Sequence, residues 1–139
     1  MNDNDDRTGI SPWGEIQHCD MLTPGIYSVS TAGHGGIMAR MDVARKTLSK
    51  AALDCAYFEC GWYCFEEDCA AAVALRELMD KGLFTAPVNE YYAPGEYEKL
   101  IDGSVQRYYP QYWEARKQTL EQNKGQDTPP AKKEKERER

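Results

Sequence analysis

IYSVSTAGHGGIMARM, residues 26 to 41, is the stretch on which the fold turns. IYSVST is rich in β-branched and aromatic residues, and its period of two puts Tyr27, Val29 and Thr31 on one face and Ile26, Ser28 and Ser30 on the other. AGHGG interrupts the run, and IMARM resumes it in extended form. Two strands joined by a tight reversal are therefore expected. Glycine tolerates positive φ without steric cost, so Gly33, Gly35 and Gly36 predict a hairpin turn with a bulge and His34 at its exposed tip. A second reading stays open, in which the glycines let a ligand approach the backbone while His34 supplies a proton or a metal bond. A phosphate cradle needs a helix opening directly after the glycines, and IMARM is extended instead.

Upstream, SPWG (residues 11–14) reads as a turn, EIQHC (15–19) as a short strand and DMLTPG (20–25) as a turn closed by Pro-Gly. Three short strands in succession make an antiparallel meander. From Asp42 the period changes to that of a helix. Asp42 suits the N-cap of VARKTLSKAALDCA, although Ser49 is equally able to start a second short helix after a break. YFECGWYCF (57–65) reads as an aromatic connection around Gly61. Glu66 to Lys81 predicts a helix opened by three acids and closed by Gly82; Ala70, Ala71, Ala72 and Ala74 give it little bulk, so the sheet is expected close to its backbone. VNEYY (88–92) suggests an edge strand and APGEYEKLIDG a turn into a short helix. Pro110 suits the first turn of a final helix, PQYWEARKQTL, that carries Tyr112 and Trp113 close to Tyr108 and Tyr109. The expected fold is α+β: a three-stranded antiparallel sheet packed against an Ala-rich helix and a C-terminal helix. One domain is expected over residues 11–120, between a disordered start (1–10) and a charged tail (121–139) that is disordered or partly helical.

At 139 residues the chain can close a single core. Its net charge is −6, and residues 131–139 hold five basic and three acidic side chains, so the body before them is more acidic than the whole. Such a body repels a phosphate backbone, which argues against nucleic-acid binding. MNDNDDRTG lacks an apolar core after a basic start, and no run is long enough to span a bilayer, so a cytoplasmic protein without signal peptide or membrane partner is expected. Five cysteines, Cys19, Cys55, Cys60, Cys64 and Cys69, cannot all pair within one chain, and their spacing lacks the close pairs that pin zinc. Most of them are expected as small apolar residues, with no metal and no cofactor.

The acidic triplet Glu66, Glu67 and Asp68 has two readings. At a helix N-terminus the acids interact favourably with the exposed amides. Neighbours on a helix point about 100° apart, so the three cannot converge on one ion unaided; one of them paired with His34 is the catalytic alternative, for a small hydrolase or a metal-dependent enzyme. Trp62, Tyr63, Tyr109 and Trp113 are the candidate binding residues, because Trp and Tyr dominate interface anchors, and they are equally able to fill a core that has only three Phe.

SPWG at Ser11–Gly14, GIYSVSTAGHGG at Gly25–Gly36, FEEDCA at Phe65–Ala70 and SVQRYYPQYWEA at Ser104–Ala115 together resemble an uncharacterised small domain family encoded on bacterial phages, plasmids and integrative elements. The resemblance implies an accessory protein of a mobile element and carries over no catalytic residue. Joined to the acidic body, it leads to the expectation of a non-enzymatic, protein-binding accessory protein with a host or element-encoded partner and a role in counter-defence.

Overall fold

The computed structural model describes residues 10–126. The expectations for residues 1–9 and for the tail beyond 126 lie outside these. In chain order come β1 (Ile10–Ser11), β2 (Gly14–Glu15), β3 (His18–Thr23), β4 (Ile26–Ser30), β5 (Gly35–Arg40), α1 (Met41–Thr47), α2 (Lys50–Leu53), β6 (Tyr57–Glu59), β7 (Trp62–Glu66), α3 (Ala70–Asp80), α4 (Glu96–Tyr108) and α5 (Pro110–Gln126). The class is α+β, as expected, but the antiparallel sheet has five strands rather than three, in the order β3-β4-β5-β7-β6. β1 and β2 form a separate two-residue hairpin.

The two extra strands come from the aromatic stretch expected to be a connection. Glu59 pairs with Trp62, and between them Cys60 and Gly61 both have positive φ, at 51° and 87°. That is the geometry of a two-residue hairpin turn whose twist matches the strands. Cysteine rarely occupies the first of those positions, which hid the turn. VNEYY, in contrast, forms no strand. Asn89 Oδ1 accepts from the backbone N–H groups of Tyr91 at 2.8 Å and Tyr92 at 3.1 Å, and this local bonding replaces a ladder. Asp42 is not the N-cap of α1: Arg40 holds that position and its guanidinium pairs with Asp42 at 3.0 Å. Ser49 does restart the helix, its Oγ accepting from the Ala52 N–H at 3.1 Å.

The Ala-rich helix begins at Ala70, with no acid in its first turn. Glu66 is drawn into β7 by its pairing with Gly36, so Glu67 and Asp68 fall in the turn before the helix. Its C-terminus is as expected: Gly82 has φ 72°, and the N–H groups of Gly82 and Leu83 bond the carbonyls of Met79 and Leu78 at 3.1 and 2.8 Å, satisfying groups the helix leaves unpaired. The final helix continues to Gln126, past Leu120. It packs chiefly on α4 and α2, so it covers other helices rather than the sheet.

Strand alternation divides the core. Ile26, Ile37, Ala39 and Phe65 face the helices and join Ala71, Val73, Leu78, Val105 and Tyr112 in the main cluster. Tyr27, Val29, Met38 and Cys64 point the other way and are covered by Trp13 and Ile16 from the N-terminal segment. A sheet buried on both faces needs this second cover, because the middle of β5 is apolar on either side.

The glycines of AGHGG act differently from the expectation. None of Gly33, Gly35 and Gly36 has positive φ; the reversal from β4 to β5 is closed by Thr31, whose N–H and Oγ–H both point to the His34 carbonyl at 2.8 Å. Gly35 and Gly36 belong to β5 itself. A Cβ on Gly36 would collide with the Phe65 carbonyl oxygen and lie 2.7 Å from the Trp13 ring, and one on Gly35 would lie 2.9 Å from Glu67 Oε1. What these positions require is the absence of a side chain. Gly36→Ala is expected to destabilise the fold by about 1–3 kcal/mol, measured by denaturant unfolding, whereas Gly33→Ala, which meets nothing within 4 Å, stays within about 0.5 kcal/mol of the parent.

Candidate functional site

The pairing of β5 with β7 brings the His34 loop and the acidic triplet together in space. Glu66 pairs with Gly36, and the Glu67 N–H donates to the Gly35 carbonyl at 3.1 Å. Proximity of the backbones does not make a catalytic pair. His34 is exposed, its backbone N–H donates to Thr31 Oγ1 at 3.1 Å, and among the described residues no hydrogen bond joins its imidazole to Glu66, Glu67 or Asp68. It lines none of the cavities described below. Among the described residues no group of three or more His, Cys, Asp and Glu is placed to hold a metal ion.

The four aromatic candidates divide between two places. Trp62 and Tyr63 sit in β7 and point to opposite faces. Trp62 packs against Tyr27 with ring centres 6.0 Å apart; Tyr63 meets Phe58 of β6 edge-on at 5.0 Å and its hydroxyl accepts from Arg45 Nε at 3.2 Å. Outside them lies β6, the last strand of the sheet. All three of its residues are exposed, Tyr57 at 39% and Phe58 at 49%. Sequence reading missed Phe58 and Tyr57; the two-residue spacer between YFE and WYCF was the available signal.

Tyr109 and Trp113 lie at the junction of α4 and α5. Tyr109 ends α4 and, with Cys55, Asp54 and Tyr112, lines a cavity of about 480 Å³. Burial, with the Cys69 thiol beside it, pushes the Tyr109 hydroxyl up to about 12. Trp113 packs on the core and carries the Arg116 guanidinium 4.8 Å above its ring.

Two buried charged side chains hold this helical layer. Glu77 Oε1 accepts from the Ser49 N–H at 2.8 Å, and Oε2 accepts from Ser49 Oγ at 2.8 Å and from the Tyr112 hydroxyl at 2.7 Å. One carboxylate thus joins the start of α2, α3 and α5. Burial, then the charge of Glu77, holds the Tyr112 hydroxyl protonated far above its ordinary range, as the donor role requires. Arg76 is 5% exposed and bonds Asp102 at 2.6 Å and Glu98 at 3.2 Å, with Asp80 at 3.2 Å. Burial works against its charge, and these carboxylates outweigh it. Neither set was legible from spacing, because apart from Asp80, four positions from Arg76, their partners lie 22 to 35 positions away. Both sets read as architecture, since they join α3 to Ser49 at the start of α2 and to α4 and α5, although Arg76 Nε is buried without a hydrogen-bond partner among the described residues.

Cys55, Cys60, Cys64 and Cys69 are free thiols. Cys64 is buried, as expected, and burial raises it to about 12; burial, then Asp54, raises Cys55 to about 11. Cys60 stands exposed at the β6–β7 turn.

Two measurements follow. Tyr112→Phe removes a donor to a buried carboxylate and is expected to cost about 1.5–3 kcal/mol in denaturant unfolding. Thiol alkylation at pH 8, mapped by peptide mass spectrometry, is expected to label Cys60 first and Cys55 at least about a hundredfold more slowly, because only the thiolate reacts.

Among the described residues no helix is long and apolar enough to cross a membrane. Neither the curated proteins nor the solved structures contain a match to this chain. Residues 6–138 match the family described as Domain of unknown function (DUF7007). The expectation of an uncharacterised domain family is thereby met, and the match reaches beyond the residues 11–115 that suggested it. The chain belongs to the DUF7007 family.

Proposed function

We propose that this protein is a non-enzymatic, protein-binding accessory protein of a phage or other mobile element, and that it takes an extended segment of its partner against the free edge of β6. The observation that supports this is the edge itself: a short strand, exposed at every residue, whose aromatic side chains Tyr57 and Phe58 remain at the surface. A strand edge offers unpaired N–H and C=O groups to a second chain, and side chains at alternate positions supply selectivity. Phe58 rests on Tyr63, so the anchor is held in place before a partner arrives, which lowers the entropy lost on binding. The net charge of −6 favours a partner segment rich in Lys and Arg. The mobile-element setting and the cytoplasmic location rest on the sequence resemblance and on the composition; counter-defence is the role that a binder encoded there would serve. An enzymatic reading through His34 gains no support from an imidazole that is exposed and bonded to no acid.

Phe58→Lys places a charge on the edge and removes the anchor. Capture of protein from bacterial lysate is expected to fall about tenfold, while Tyr91→Lys, at an aromatic 77% exposed and outside the sheet, leaves it unchanged. Equal capture by the two variants, both checked for native circular dichroism, rules out the β6 edge.

A further inference from the structure

A second hollow, of about 290 Å³, lies on the helix-covered face of the sheet, between β3, β4 and β5 and the helices. Its origin is legible in the residues. Helices pack about 10 Å from a sheet and need large side chains to fill the gap; here β4 offers Ser28 and Ser30 towards the helices, and α3 faces them with Ala71. A register shift between Met21 and Thr23 turns Leu22 into the wall. Phe84 and Tyr97, with ring centres 6.2 Å apart, close the far side.

The polar lining is one-sided in charge. Glu67 lies at the hollow, its carboxylate drawn over the bare backbone of Gly35, and among the described residues that carboxylate makes no hydrogen bond or ion pair. Ser28 and Ser30 likewise direct no side-chain hydrogen bond to another described residue. Among the described residues no basic one lines the space. A carboxylate and two hydroxyls without partners, beside two aromatic rings, form a set of acceptors and π-faces suited to a cation with an apolar body.

We propose that this hollow binds a small organic ammonium compound, its charged nitrogen on Glu67 and its hydrocarbon part between Leu22 and the Phe84–Tyr97 pair. The volume equals about ten times that of a water molecule in the liquid, which limits the ligand to a small molecule. An anion is disfavoured, because it would meet the Glu67 charge and, among the described residues, no basic side chain at the hollow to offset it. The site is independent of the β6 edge, which lies two strands beyond β5 in the sheet order, so either can fail alone.

The test uses the full chain and 2-phenylethylammonium as probe, followed by amide chemical shifts. Millimolar probe is expected to shift Ser28, Ser30, Gly36 and Ala71, and 3-phenylpropionate, of similar size and opposite charge, to leave them unmoved. Glu67→Gln, on the exposed side of the turn, is expected to weaken the ammonium probe by about fivefold. Ala71→Leu, which fills the hollow, abolishes the shifts; should that variant fold poorly, Ser30→Val narrows the same space. Equal shifts with the carboxylate, no shifts with the ammonium probe, or an affinity indifferent to Glu67→Gln overturns the proposal.

Discussion

Everything in this fold depends on β5 having no side chain at Gly35 and Gly36. Both faces of that strand are covered at that point, by the Trp13 ring on one and the Glu67 carboxylate on the other, each closer than a Cβ would allow. Close packing of this kind tolerates little relaxation, because the opposing Phe65 carbonyl belongs to a paired strand and cannot swing aside. The contact fixes the N-terminal segment on one face of the sheet and the turn into α3 on the other. The positions of both follow from one pair of glycines.

The four sequence pieces that suggested a domain family are brought together by this arrangement. SPWG forms a turn in which Ser11 Oγ donates to the Gly14 carbonyl at 2.9 Å and accepts from the Trp13 N–H at 3.2 Å, which directs Trp13 towards Gly36. FEEDCA supplies Phe65 opposite Ile37 and Glu67 against Gly35. The YYPQYW piece gives Tyr112, which holds Glu77 and so ties α5 to α3. The contacts made by these residues are packing contacts.

The helical layer relies on buried charge in place of bulk. With Ala70, Ala71, Ala72 and Ala74 buried in α3, dispersion from large side chains is limited, and the ion pairs of Arg76 and the three bonds to Glu77 supply direction. Buried charges contribute little net stability against apolar substitutes, but they penalise misplacement strongly. They fix which helix sits where. The small residues that make close helix packing possible also leave the hollow by Ser28 and Ser30, so the candidate ligand site follows from the same economy of side chains.

Local chemistry determined much of this from sequence alone. Period-two alternation placed β4 and the faces of Tyr27 and Val29; Gly82 ended α3; Ser49 restarted α2; Pro110 opened α5. Each of these rests on interactions within a few residues, where propensity and hydrogen bonding decide. Other features were decided only by distant partners. Glu66 joined a strand because Gly36 pairs with it, the glycines of AGHGG proved to be contact surfaces rather than turn residues, and Cys60-Gly61 made a hairpin from what resembled a connection. Nothing within the span of a turn distinguishes a glycine that reverses the chain from one that admits a ring, because the ring comes from Trp13, more than twenty residues earlier. The tertiary structure chooses between them.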